Sequence, residues 1–137
     1  FLKGKRCGVQ AVKTRTCKLY PFCVFPDDNG KFVYNYSTER RHHPKGSLIR
    51  VEDWMRDFLS DEDKEYLLED ARSIKEIAVP YKILYRSLKD PDGILKKILL
   101  YRHFMYDTGE PFMPQFCRNN RVLKDELDRI ITKFMSV

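Results

Sequence analysis

The sequence predicts an α+β fold: a small antiparallel β-sheet, made of an N-terminal hairpin plus one strand, packed against about five C-terminal α-helices. Three observations predict it. Residues 19–38 hold two runs rich in Phe, Tyr and Val, LYPFCVF and KFVYNYST, separated by Pro-Asp-Asp-Asn-Gly. Asp, Asn and Gly accept turn geometries that other residues resist, so two such runs around such a turn form a hairpin. Beyond residue 47 the apolar residues recur at helical spacing instead. The length, 137 residues with 42% hydrophobic and 34% charged, suits a single compact domain over 1–137, with a basic β-rich part at 1–46 and a helical part at 47–137. A β-rich part this short cannot bury its own aromatics without a metal, disulfides or the helices.

Residues 1–8 read as an irregular basic arm. Over residues 9–19, VQAVKTRTCKL mixes β-branched residues with cations in rough alternation, which predicts a half-exposed strand with Lys13 and Arg15 on one face. In the second strand of the hairpin the period of two separates Phe32, Tyr34 and Tyr36 from Val33, Asn35 and Ser37. Aromatic bulk makes the Phe32 side the expected core face. After the polar connection 39–46, Val51, Trp54, Met55, Phe58 and Leu59 make one apolar helix face. Ser60 is an N-cap for a second helix, with Asp61, Glu62 and Asp63 complementing its dipole and Leu67, Ala71, Ile74 and Ala78 as its stripe. Pro80 suits the first turn of a third helix carrying Tyr81, Leu84, Tyr85 and Leu88. Residues 94–106 read as the central helix, ended by Gly109 in left-handed geometry. A loop over 110–120 follows, and a last helix carries Leu123, Leu127, Ile130, Ile131 and Phe134. Trp54, Leu99 and Ile130 are expected to share one core.

The net charge of +6 is unevenly spread. Residues 1–50 hold 11 Lys plus Arg against 3 Asp plus Glu, and residues 51–137 hold 15 against 17, so the two parts carry +8 and −2. Gathered cations point to an acidic partner, nucleic acid or an acidic protein surface. No apolar run is long enough to span a bilayer, and FLKGKRCG lacks the apolar core of a signal peptide. The chain starts at Phe1 and not at Met, as a piece of a longer protein or a processed chain would. An intracellular location, nuclear or cytoplasmic, is expected; the Asn35-Tyr36-Ser37 sequon and the even cysteine count are compatible with secretion.

Four cysteines stand at 7, 17, 23 and 117. The spacing Cys7, nine residues, Cys17, five residues, Cys23 resembles the first three ligands of a CCCH zinc finger, an RNA-binding family whose histidine follows three residues after the last cysteine. Position 27 is Asp here. A histidine from the pair His42, His43 would complete a Cys₃His set for one structural zinc, since zinc accepts such tetrahedra. Buried thiols or a disulfide are the competing reading of the same residues.

Phosphate loops, HExxH and nucleophile elbows are missing from the sequence, and no acid pair is set for tuned proton transfer. His103 reads as a surface histidine, and nothing ties Cys117 to a catalytic partner. The expectation is therefore a non-catalytic binding domain. Its first reading is nucleic-acid binding: Lys13, Arg15, Lys18, Arg40, Arg41 and Lys45 neutralise phosphates while Tyr20, Phe22 and Tyr36 stack on bases. Its alternative is a protein-interaction domain docking through the hairpin edge or the loop 111–116. A secreted disulfide-bonded factor comes third.

Overall fold

In a computed structural model, residues 2–3, 6–7, 15–36, 48, 50–87 and 91–136 are described. The elements in order are β1 (Leu2–Lys3), β2 (Arg6–Cys7), α1 (Arg15–Leu19), β3 (Phe22–Pro26), β4 (Phe32–Tyr36), α2 (Val51–Phe58), α3 (Asp61–Ser87), α4 (Pro91–Leu99), a π-helical turn (Leu100–Phe104) and α5 (Phe112–Met135). The fold is α+β, as the sequence predicts. Two compact units divide it, Phe1–Leu68 and Glu69–Val137.

In the first unit β1 pairs antiparallel with β2, and β3 with β4, as two separate two-stranded sheets. The β3–β4 turn is built by Asp27, whose Oδ1 accepts the N–H groups of Asn29 and Lys31, both at 2.9 Å. Gly30 completes it at φ +76°, a conformation that costs other L-residues. The strand expected over 9–19 is a correction: Arg15–Leu19 is helical, and residues 8–14 lie outside the described residues. Alternating β-branched residues and cations are a weak strand signal, since strand propensity depends on context. Among the described residues of this unit the buried apolar positions are Leu19, Phe22 and Leu59. Trp54 is fixed among them by an Nε1–H donated to the Leu19 carbonyl at 3.2 Å.

The expected cap at Ser60 is present. Asp63 N–H donates to Ser60 Oγ at 3.1 Å and Ser60 N–H to Asp63 Oδ2 at 3.2 Å, a reciprocal box that satisfies two donors at the start of α3. From there α3 runs unbroken through Pro80, where a new helix was expected to begin. Proline removes one backbone donor, yet Pro80 is buried between Ile77 and Leu84, and burial of that face outweighs the lost bond. Among its described residues α3 buries Ser73, Ile77, Pro80 and Leu84; Ile74, expected in the core stripe, is 51% exposed.

The second unit is centred on Ile77, Leu84, Ile94, Leu123 and Leu127, with Tyr81, Ile98, Tyr101, Ile130 and Ile131 packed around them. Residues 94–106, expected as one central helix, are the end of α4 followed by the π turn, which closes with Met105 N–H on the Leu100 carbonyl at 3.0 Å. Gly109 does not end that helix in left-handed geometry. It sits in a turn made by Asp107, whose Oδ1 accepts its N–H at 2.7 Å. The loop expected over 110–120 is also corrected, because α5 already begins at Phe112. Pro111 stands at its N-cap and Pro114 in its first turn, where helix N–H groups have no intrahelical partner and a proline removes nothing. Of the expected shared core, Ile130 packs on the second unit's cluster, Trp54 belongs to the first unit, and Leu99 is 43% exposed.

Candidate functional site

The register Phe22↔Tyr36, Val24↔Tyr34, Pro26↔Phe32 puts these six side chains on one face of the hairpin. That is the face the sequence marked as apolar, and it turns toward α2. At one end Phe22 is the centre of an aromatic group, its ring centroid 5.8 Å from Tyr34, 5.9 Å from Tyr36 and 6.5 Å from Trp54. Trp54 in turn lies 4.5 Å from Phe58. The other half of the face does not close on the helix. Val24, Phe32 and Tyr34 stand across from Val51, Met55 and Leu59, leaving an open groove of ≈ 590 Å³. Such a volume is within the range of pockets that take a few bulky side chains or a small ligand.

The groove is apolar within and charged at its margin, where Glu52, Arg56, Asp61 and Lys64 stand. Each margin cation is already engaged: Arg56 with Asp53 at 3.0 Å and Asp57 at 3.5 Å, Lys64 with Asp61 at 2.7 Å. Arg50 bridges Glu52 at 3.2 Å. The hydrogen bond and charge of Lys64 hold the Asp61 carboxyl below its ordinary value, so it is ionised at neutral pH. Tyr34, on the groove wall, remains 51% exposed, and Tyr36, outside the lining, 54%.

The second unit carries a more buried polar group. Arg102, on the π turn, donates from Nη1 to Ser73 Oγ at 2.9 Å and to Asn120 Oδ1 at 3.2 Å, pairs with Asp70, and lies over the Phe116 ring at 5.7 Å. Its side chain is 9% exposed. These contacts join α3, the π turn and the start of α5. Gln115 does similar work beside them, accepting the Asp107 N–H at 2.7 Å and donating Nε2 to the Asp107 carbonyl at 2.9 Å. Arg102, Asp70, Ser73 and Gln115 are spent on these contacts, which mark a structural clasp, while the buried Nδ2 of Asn120 has no hydrogen-bond partner among the described residues.

The residues expected to contact nucleic acid are only partly brought together. Lys18 is exposed on α1, Tyr20 is half-buried and Tyr36 is half exposed. Phe22 is corrected: at 7% exposure its ring is enclosed by Trp54, Tyr34 and Tyr36, and a buried face cannot stack on a base. Arg15 is placed in α1 by its backbone, and Lys13, Arg40, Arg41 and Lys45 lie outside the described residues. Of the zinc set, Cys17 and Cys23 are exposed, Cys7 belongs to β2, and His42 and His43 lie outside the described residues. Among the described residues no three His, Cys, Asp or Glu side chains form a metal-holding group. The segment 111–116, expected as a docking loop, is helical from Phe112, with Met113, Gln115 and Phe116 buried.

The groove itself was hidden in the sequence. Val51, Met55 and Leu59 have the spacing of a helix core face, and only their incomplete cover by the hairpin turns part of that face into a wall. Among the described residues no helix is long and apolar enough to cross a membrane. Against known protein families, curated proteins and solved structures the chain finds no match.

Proposed function

We propose that the chain is a non-catalytic binding module and that the groove between the β3–β4 hairpin and α2 docks apolar side chains of a partner protein. The observation that carries this reading is the open apolar groove, walled by Val24, Phe32, Tyr34, Val51 and Met55 on the hairpin and α2. Apolar surface left accessible between well-formed elements gains free energy when a partner covers it, roughly 25 cal/mol per Å² buried.

The test is titration with an uncharged peptide rich in Leu and Phe, its affinity measured by isothermal titration calorimetry for wild type and variant and its place of contact through the wild-type Met55 methyl resonance. That resonance should shift on titration, and Met55→Glu, which puts a charge inside the groove, should abolish the binding while leaving the circular dichroism spectrum unchanged. Peptide binding of equal strength to the Met55→Glu variant would overturn the reading.

A second reading, nucleic-acid binding by the basic N-terminal third, is supported by the gathering of charge into residues 1–50, +8 against −2 for the remainder. Lys18 and the half-exposed Tyr36 are its described contacts. Neither of these two residues lines the groove.

A further inference from the structure

We infer that the outer face of α3 and α4, within the second unit, docks an amphipathic helix of another protein whose apolar stripe is flanked by Asp or Glu. This face lies apart from the groove in sequence and uses none of its residues. Ala71, Ile74, Ala78, Tyr81 and Tyr85 follow one another at steps of three, four, three and four, so they share one face of α3. The unit's core draws instead on Ser73, Ile77, Pro80 and Leu84, which stand one position before Ile74, Ala78, Tyr81 and Tyr85. One position is about 100° around a helix, so the stripe is turned aside from the core. Tyr81 packs on both sets, while Ile74 and Tyr85 are each more than half exposed. α4 repeats the arrangement, with Ile94 and Ile98 on the core and Leu95 and Leu99, again one position later, exposed. α3 and α4 run in opposite directions, since Arg102 past the end of α4 reaches back to Asp70 and Ser73. α5 lies on the other side of both. Its Glu126 accepts from Lys97, one position before Ile98, and its Lys124 feels the charge of Glu76, one position before Ile77. The two exposed stripes therefore turn to the side of the pair that α5 leaves open.

Charge around this face is one-sided. Residues 71–87 hold four cations, Arg72, Lys75, Lys82 and Arg86, against the single acid Glu76. Glu76 is on the α5 side, paired with Arg72 at 2.9 Å. Lys75, Lys82 and Arg86 stand one position beyond Ile74, Tyr81 and Tyr85, exposed along the outer margin of the stripe. On the α4 margin Asp92 and Lys96 offset each other, so the described charges around the face, Lys75, Lys82, Arg86 and Lys96 against Asp92, sum to +3. Alternating steps of three and four are the spacing that keeps a seam against a second helix, and Ala71 and Ala78 leave hollows beside the larger Ile74, Tyr81 and Tyr85 for that helix's side chains. A second copy laid antiparallel on this face would set Lys75 and Lys82 against their own counterparts, and like charges disfavour it. A helix with acids beside its apolar stripe meets attraction along the same margin. The occupant is thus an acidic amphipathic helix of a separate protein.

The probes are three synthetic helical peptides, monomeric in solution, with Leu at alternating steps of three and four and with Glu, Gln or Lys at the flanking positions. Isothermal titration calorimetry against the full chain gives their affinities. The Glu peptide should bind about tenfold tighter than the Gln peptide, and the advantage should fall away in about 1 M salt, where the screening length is about 3 Å. Lys82→Glu combined with Arg86→Glu should invert the order and make the Lys peptide the tighter, a reversal that loss of folding cannot produce. Ile74→Asp should weaken every peptide about tenfold, and Met55→Glu should weaken none. Equal binding of the three peptides, or an order that the charge reversal leaves unchanged, would overturn the acidic partner. Loss of binding in Met55→Glu would put the peptides in the groove of the first unit and overturn this face as their site. Binding to phosphatidylserine vesicles that the charge reversal abolishes, with no peptide bound, would make an anionic membrane the occupant. A dimer that Ile74→Asp dissociates would make it a second copy, and either result would overturn the separate protein.

Discussion

Leu99 and Leu123 show how residue identity and residue burial part company. Both are leucines in helices at apolar positions of a repeating pattern, yet Leu123 is fully enclosed and Leu99 is 43% exposed. A 3.6-residue period tells which residues share a face and not whether another element covers it. Leu123→Ala should therefore lower stability by about 2 to 5 kcal/mol, the cost of a cavity at a closed site, while Leu99→Ala should stay within about 1 kcal/mol of wild type. Parallel denaturant unfolding of the two variants checks this, and similar losses for both would mean that Leu99 is covered. The buried polar residues were the least legible of all. Ser73, Gln115, Asn119 and Asn120 are each under 9% exposed, and their partners are backbone groups and an arginine distant in sequence. No local spacing announces such a contact. The Ser60 cap was legible because its partner, Asp63, is three residues away.

Elements were legible where their signals were local. The β3–β4 hairpin follows from its turn, and α2 from its stripe. Prolines misled in both directions, because Pro80 and Pro114 break no helix where burial or position in the first turn removes the reason to break. Between elements, α4 and α5 are tied by Glu126, which accepts from Lys97 Nζ at 2.7 Å and from the Tyr101 hydroxyl at 2.6 Å. Those two hydrogen bonds, that of Lys97 first, hold the Glu126 carboxyl below its ordinary value, and the same contact raises the Tyr101 phenol. A carboxyl depressed in the folded state binds protons more readily when the chain unfolds. Its stabilisation is then complete above the ordinary carboxylate range and is lost as pH falls through the native value. Glu126→Gln should thus lower the melting temperature at neutral pH and flatten its decline toward acid. Wild-type and variant curves that run parallel at every pH would show that the clamp contributes nothing.

At the scale of the whole molecule, the α+β class was legible and the partition was not. The sequence reading divides the chain near residue 46 by composition, whereas the compact units divide after Leu68, within α3. Charge follows the second division differently from the first: 13 Lys plus Arg against 10 Asp plus Glu fall in each unit, so the acids of α2 and early α3 join the basic third in one unit. That unit carries most of its cations in residues 1–50 and most of its carboxylates in residues 52–65. If the basic stretch contacts phosphates, binding of a single-stranded oligonucleotide should weaken with salt at a slope of about −0.7 in log K per log salt for every phosphate neutralised. Arg40→Ala with Arg41→Ala should lower the affinity for all sequences alike and make the slope shallower by about one to one and a half. Met55→Glu should leave that slope unchanged, since Met55 lies in the apolar groove and its replacement removes no cation. Fluorescence anisotropy across a salt series measures all three. An unchanged slope in the double variant, or affinity no better than that of a control protein of equal net charge, would remove nucleic acid as a partner and leave the groove as the first unit's binding surface.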